Sequence, residues 1–116
     1  MPPPGTPYQF KVEIQPEGEL VFTWKCDNPA GSQGTVYQIY RRNTPTAEPT
    51  FLGIAGIKKF MDVNVPTGQP QIGYVIQATR STAVGVAANF AVRFGTTSSG
   101  DMTASIVETA APKIAA

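Results

Sequence analysis

Two arginines close the stretch YQIYRR, residues 37–42, behind two tyrosines. Guanidinium groups grip phosphate through paired N–H donors and aromatic rings stack on bases, so this pattern poses a phosphate or nucleic-acid site. Strand geometry weakens that reading, because successive strand residues point to opposite faces and Arg41 and Arg42 then cannot form one cluster. Charge balance weakens it further. Nine Lys and Arg stand against eight Asp and Glu, for a net +1, and they are scattered along the chain. A nucleic-acid footprint needs basic residues gathered on one face, so no nucleic-acid partner is expected. The same scatter offers no polybasic membrane patch, and no apolar run approaches the roughly 20 residues that span a bilayer, so no membrane insertion is expected.

The remaining chemistry-bearing residues are sparse. Glu13, Glu17, Glu19, Asp27, Glu48, Asp62, Asp101 and Glu108 are spread out, and a glycosidase pair would need two of them facing across a deep cleft. The DVN run at 62–64 resembles calcium-binding sandwich loops, but no second acidic cluster completes the oxygen cage such a site requires. Histidine is absent, which removes the commonest general base and the commonest zinc ligand together. Serines and threonines are plentiful, yet no base is at hand to activate one. The single cysteine, Cys26, allows neither an internal disulfide nor a CxxC site, and it continues the phase of Trp24 as a small, partly buried hydrophobe. There is no Gly-rich phosphate loop and no Arg-Gly-Asp triplet. No catalytic residue, metal site or cofactor is assigned, and an enzyme is not expected.

The elements that must position these side chains are strands. Eleven glycines and eleven prolines fall between short β-rich runs rather than in one block. In QFKVEIQ, Phe10, Val12 and Ile14 share one side. PEG at 16–18 turns the chain, and Leu20, Phe22 and Trp24 share a face in ELVFTWK. This period of two marks half-buried antiparallel strands. TVYQIYRR, TFLGIA, KFMDVNV, GYVIQATR and NFAVRFG continue the series, and no window sustains a helical period. At 116 residues, about one domain's length, the pattern predicts an all-β sandwich of seven antiparallel strands. Residues 1–7 read as a Pro-rich leader or linker, 8–95 as the sandwich, and 96–116 as a flexible Ser/Thr/Ala-rich tail, with ASIVETA (104–110) as an optional edge strand.

Over about residues 4–95 the chain resembles a fibronectin type III domain. The resemblance rests on an ordered set: Pro4 and Pro7, Trp24 at the end of the second strand, Tyr37, Ile39 and Arg41 in the third, FMD at 60–62, Val65 and Gly68, then YVIQA at 74–78. It implies an immunoglobulin-like sandwich with a core of Phe22, Trp24, Tyr37, Ile39, Phe60, Tyr74 and Ile76. Tyr74 would be a tyrosine corner whose hydroxyl binds backbone, and Asp62 would cap a turn. Arg41 would lay its stem over the core rim.

The resemblance implies a non-catalytic binding or spacer module, contacting a protein or glycan within a larger or surface-associated assembly, at the cell surface or secreted. The alternative is a small structural protein that self-assembles by pairing its terminal segments onto a neighbour's sheet edge. In the implied topology the third and sixth strands are neighbours. Gln38, Tyr40 and Arg42 would then share an outward face with Val75, Gln77 and Thr79, Tyr40 lying beside Val75, with the loop 80–85 at the rim. That face is either a partner site, since Tyr and Arg are enriched at binding hot spots, or a set of cross-strand pairs that only stabilise the sheet.

Overall fold

The computed structural model describes residues 3–27 and 34–107. Within them lie nine strands: β1 (Tyr8–Ile14), β2 (Leu20–Lys25), β3 (Val36–Arg42), β4 (Thr50–Ala55), β5 (Lys59–Asp62), β6 (Gln71–Arg80), β7 (Ala83–Val84), β8 (Ala88–Thr96) and β9 (Met102–Val107). They form two antiparallel sheets, one in the order β1-β2-β5 and one in the order β4-β3-β6-β8-β9, with β7 folded back on β6. The alternating patterns explain the layering. Leu20, Phe22 and Trp24 of β2 meet Tyr37 and Ile39 of β3, Tyr74 and Ile76 of β6, and Phe90 and Val92 of β8, all buried between the sheets. Rings lock this interior: Trp24 meets Tyr37 edge-on at 5.4 Å, and Phe22 lies 4.5 Å from Tyr74. Phe60 packs against the same cluster but is only half-buried.

Three expectations are corrected. Among the described residues the strand count is nine, because a two-residue β7 forms and because the segment assigned to a flexible tail carries β9. Met102–Val107 pairs with β8 through six residue partners, from Thr96↔Met102 to Ala91↔Val107, and Ala104 and Ile106 pack onto the core. The cause is local. Gly100, at φ 89°, lets the chain reverse, and Thr97 and Asp101 close the turn through a 2.8 Å backbone bond and a 3.1 Å bond to the Thr97 hydroxyl. The sandwich thus runs to at least Val107; residues 108–116, including the end of ASIVETA, lie outside the described residues.

The leader is also part of the fold. Pro4 and Pro7 are buried, and the Gly5 N–H donates to the Asp27 carbonyl at 3.0 Å. Gly85 is held so close to it that a Cβ there would stand 2.5 Å from the Pro4 carbonyl oxygen. The third correction concerns Tyr74. Its hydroxyl donates not to backbone but to the Asp62 carboxylate, at 2.6 Å.

Candidate functional site

Two polar constellations stand out, one inside the sandwich and one on its face. The inner one follows from phase. Arg41 continues the inward row of Tyr37 and Ile39, and Asp62 continues the inward row of Phe60, so both charged ends arrive in the same end of the core. One guanidinium nitrogen of Arg41, Nη1, donates to both Asp62 oxygens at 2.8 Å, while Nε donates to Asn43 Oδ1 at 2.8 Å. Asp62 also accepts the Tyr74 hydroxyl and, at 3.1 Å, the N–H of Asn64, so it caps a turn as well as pairing a charge. Arg41 and Tyr74 belong to the six-stranded sheet and Asp62 to the three-stranded one, so the cluster is a polar rivet between layers.

Burial, followed by the bond to Asp62 and that group's charge, pushes the Tyr74 phenol far above its ordinary range. A phenol held protonated in this way, with its carboxylate already satisfied by four donated bonds, is poorly placed to act on a substrate. Burial likewise pushes the Cys26 thiol up, which disfavours the thiolate that reactive cysteines need. Among the described residues no three His, Cys, Asp or Glu side chains gather to hold a metal ion. A recess of about 280 Å³ between the β1–β2 turn, the β5–β6 loop and β9 is lined by Ile14, Val65, Pro66, Phe94 and Met102, apolar groups without acid–base capacity.

The outward face is built by the β3–β6 register, which sets Gln38 opposite Gln77, Tyr40 opposite Val75, Arg42 opposite Gly73 and Val36 opposite Thr79. Its members are less free than the sequence suggests. Val75 and Thr79 are each only 9% exposed, so Val75 does not present an open aliphatic surface beside Tyr40. The polar ends are engaged within the chain. The Tyr40 hydroxyl donates to Gln38 Oε1 at 2.8 Å, Arg42 to the Ala47 carbonyl at 2.8 Å, and the Gln77 amide to the Gly85 carbonyl at 2.9 Å. The Arg42 stem lies across Gly73, where a Cβ would come within 3.2 Å of it.

What remains open is aromatic, and sequence reasoning missed its main component. Phe51 of β4 pairs with Tyr40, their rings meet edge-on at 5.5 Å, and Phe51 is 53% exposed. A bulge produces this. Ile39 pairs with Gly53 and Tyr40 with Phe51, leaving Leu52 as an extra residue. The irregular spacing of Phe51 and Ile54, three apart instead of two, hid their common outward face; the Gly53 between them is the one sequence sign of a bulge.

No protein-family model and no curated protein sequence matches the chain. A solved structure does: "Twitchin kinase region from C.elegans (Fn31-NL-kin-CRD-Ig26)", with a TM-score of 0.67 at 17% sequence identity, over 88% of this chain and 19% of that one. The chain thus spans about a fifth of that structure's length, and at this identity the likeness speaks for the fold alone. Together with the two packed antiparallel sheets it supports an all-β sandwich fold.

Proposed function

We propose that the chain is a fibronectin type III-like domain acting as a non-catalytic protein-binding module within a larger or surface-associated assembly, with Tyr40 and Phe51 at the centre of its contact face. The observation that carries this reading is the Tyr40–Phe51 ring pair, half open to solvent on a rigid sheet. Rigid aromatics bury large area at little entropic cost, which is why they anchor hot spots. The engaged polar ends favour a protein over a glycan. Tyr40, Arg42 and Gln77 each place one bond within the chain, on Gln38, Ala47 and Gly85, and the part of the face most open to solvent is the apolar Phe51 ring. Gln38, Val75 and Thr79 then act as the floor and frame of the face, and Arg42 as its charged rim.

The experiment is affinity capture with the whole chain, followed by titration of the captured partner against variants. Tyr40→Ala and Phe51→Ala are expected to weaken binding at least about tenfold, and Lys11→Ala on the other sheet to leave it unchanged. Face variants that fold and bind like the parent domain refute this reading.

A further inference from the structure

We infer that the outer face of the three-stranded sheet packs against the same face of a second copy of this chain, turned about a two-fold axis that runs across the strands. This surface goes beyond the contact face proposed above and lies on the opposite side of the sandwich. Strand phase and register build it. The alternate residues of β1, β2 and β5 that do not pack on the core turn outward. Pairing then aligns them in rows across the sheet. Lys11, Thr23 and Lys59 form one row, and Glu13, Val21 and Met61 form the next. Lys25 stands one row beyond the first, opposite Tyr8. Glu19, just before β2 and tied to Gln15 by a 2.8 Å backbone bond, stands one row beyond the second.

The charges of this face are sorted by height. Lys11, Lys25 and Lys59 occupy the two rows nearer Tyr8, and Glu13 and Glu19 the two rows nearer the β1–β2 turn. The sorting is the same on both strands although they run in opposite directions, Lys before Glu in β1 and Glu before Lys in β2. None of these lysines and glutamates forms an ion pair among the described residues. Asp27, above Lys25, is held by the Tyr8 hydroxyl at 3.0 Å. This polarity chooses the occupant. An acidic partner would meet Glu13 and Glu19 over one half of the face, and a basic partner would meet the lysines over the other. A surface of reversed polarity meets neither obstacle, and the face itself supplies one when turned by a two-fold. With the axis midway between the Lys11 and Glu13 rows, Lys11 faces Glu13 of the other copy and Lys25 faces Glu19. Lys59 lays its stem on Met61, Thr23 meets Val21, and every contact occurs twice. Sheets packed face to face sit about 10 Å apart, a gap that extended Lys and Glu side chains bridge together.

Size and charge fix the strength. Three strands about 4.8 Å apart and four rows about 6.8 Å apart cover roughly 400 Å² per copy, against about 800 Å² per partner in a standard stable interface. Exposed ion pairs each contribute little and are screened by salt. The dimer is accordingly weak and salt-sensitive, populated at high concentration or when a larger assembly holds copies together. Tyr40 and Phe51 belong to the other sheet, so both copies keep them open, on opposite sides of the dimer.

Sedimentation velocity of the whole chain from micromolar to near-millimolar concentration, at low and at high salt, tests this. The expected result is a concentration-dependent shift from monomer to dimer. Its dissociation constant is expected to rise at least about tenfold between about 0.02 M and about 0.5 M sodium chloride. Lys11→Glu and Glu13→Lys, both at exposed positions, each bring like charges together and are expected to abolish the dimer. Mixed in equal amounts, the two variants are expected to dimerise again, because each then meets the opposite charge on the other. Arg93→Glu, on the outer face of the other sheet, changes the net charge as much as Lys11→Glu does and is expected to leave the dimer intact. A monomer at every concentration overturns the inference, as does a dimer indifferent to salt or to Lys11→Glu, or one lost with Arg93→Glu. A mixture of the two variants that stays monomeric overturns the two-fold pairing. None of these results bears on binding through Tyr40 and Phe51, which the capture experiment reads separately.

Discussion

Replacing Asp62 by alanine removes the acceptor on which three side-chain bonds and one backbone bond converge. Arg41 keeps its charge with its side chain only 11% exposed, and its Nη1 loses both 2.8 Å bonds; the Tyr74 hydroxyl, 2.6 Å from Asp62, is stranded beside it. Removing one partner of a buried ion pair costs about 3–5 kcal/mol, because the remaining charge has neither water nor counterion. Against a total stability of about 5–15 kcal/mol for a domain of ordinary size, that loss leaves the domain marginal. Removing the whole cluster behaves differently. Arg41→Met with Asp62→Leu and Tyr74→Phe replaces every member by an apolar group of similar volume and leaves no unpaired charge, so its cost is expected to stay below about 1.5 kcal/mol. Equilibrium urea unfolding followed by the fluorescence of Trp24 measures both. The reasoning is refuted if Asp62→Ala costs less than about 1 kcal/mol, which would mean that Arg41 escapes to water. It is equally refuted if the triple variant is as destabilised as the single one, which would make shape rather than charge the decisive property.

Other outcomes follow from the same structure. Trp24 is 5% exposed and its Nε1 has no hydrogen-bond partner, so Trp24→Ala is expected to cost about 3–5 kcal/mol but Trp24→Phe under about 1.5 kcal/mol, read by circular dichroism in urea; equal losses would mean that the indole N–H is bonded after all. Ending the chain after Thr96 strips Ala104 and Ile106 from the core, and a loss above about 2 kcal/mol is expected, whereas Thr103→Ala on the exposed side should stay within about 0.5 kcal/mol. Tyr74 also sets an alkaline limit. Its folded pKa is raised, so its contribution is fully present below the ordinary tyrosine range near 10 and declines as the unfolded chain ionises above it, by up to about 1.4 kcal/mol per pH unit. Urea midpoints measured on both sides of that pH should therefore fall more steeply for the parent than for Tyr74→Phe, and parallel slopes would contradict the burial of the phenol.

How much of this was legible depended on whether a residue's role is set by phase or by partner. The period of two in LVFTWK and YQIYRR places Phe22, Trp24, Tyr37 and Ile39 inside, because a pleated strand leaves no other choice once one face is apolar. The antiparallel adjacency of β3 and β6 came from the fibronectin-like order of motifs rather than from any local signal. Arg41 shows where phase was read but not followed through. Its inward row implied a buried cation, which demands a counterion, and Asp62 in the inward row of Phe60 was the acid able to supply one from the facing sheet. The tail misled through composition. Its Thr, Ser and Ala suggest a linker, yet Met102, Ala104 and Ile106 alternate with Thr103 and Ser105 behind a Gly100 turn, a weak strand pattern that a neighbouring apolar edge was enough to order.

The outward face was the least legible part, for a reason that also bears on what the molecule does. A regular β4 would have alternated and turned Phe51 and Ile54 to opposite sides; the extra residue at Leu52 turns both outward. That single irregularity sets Phe51 against Tyr40 while keeping Ile54 on the same outward face. The open aromatic face is therefore read from which residue is the extra one, and not from alternation alone. Deleting Leu52 makes Phe51 and Gly53 neighbours, so a regular strand keeps Gly53 opposite Ile39 and Phe51 opposite Tyr40, and the ring pair survives the loss of the bulge. A partner bound through the face is therefore expected to be kept by a folded Leu52-deleted chain and weakened by Phe51→Ala, and loss of binding on deleting Leu52 alone, in a chain that still folds, would refute this register.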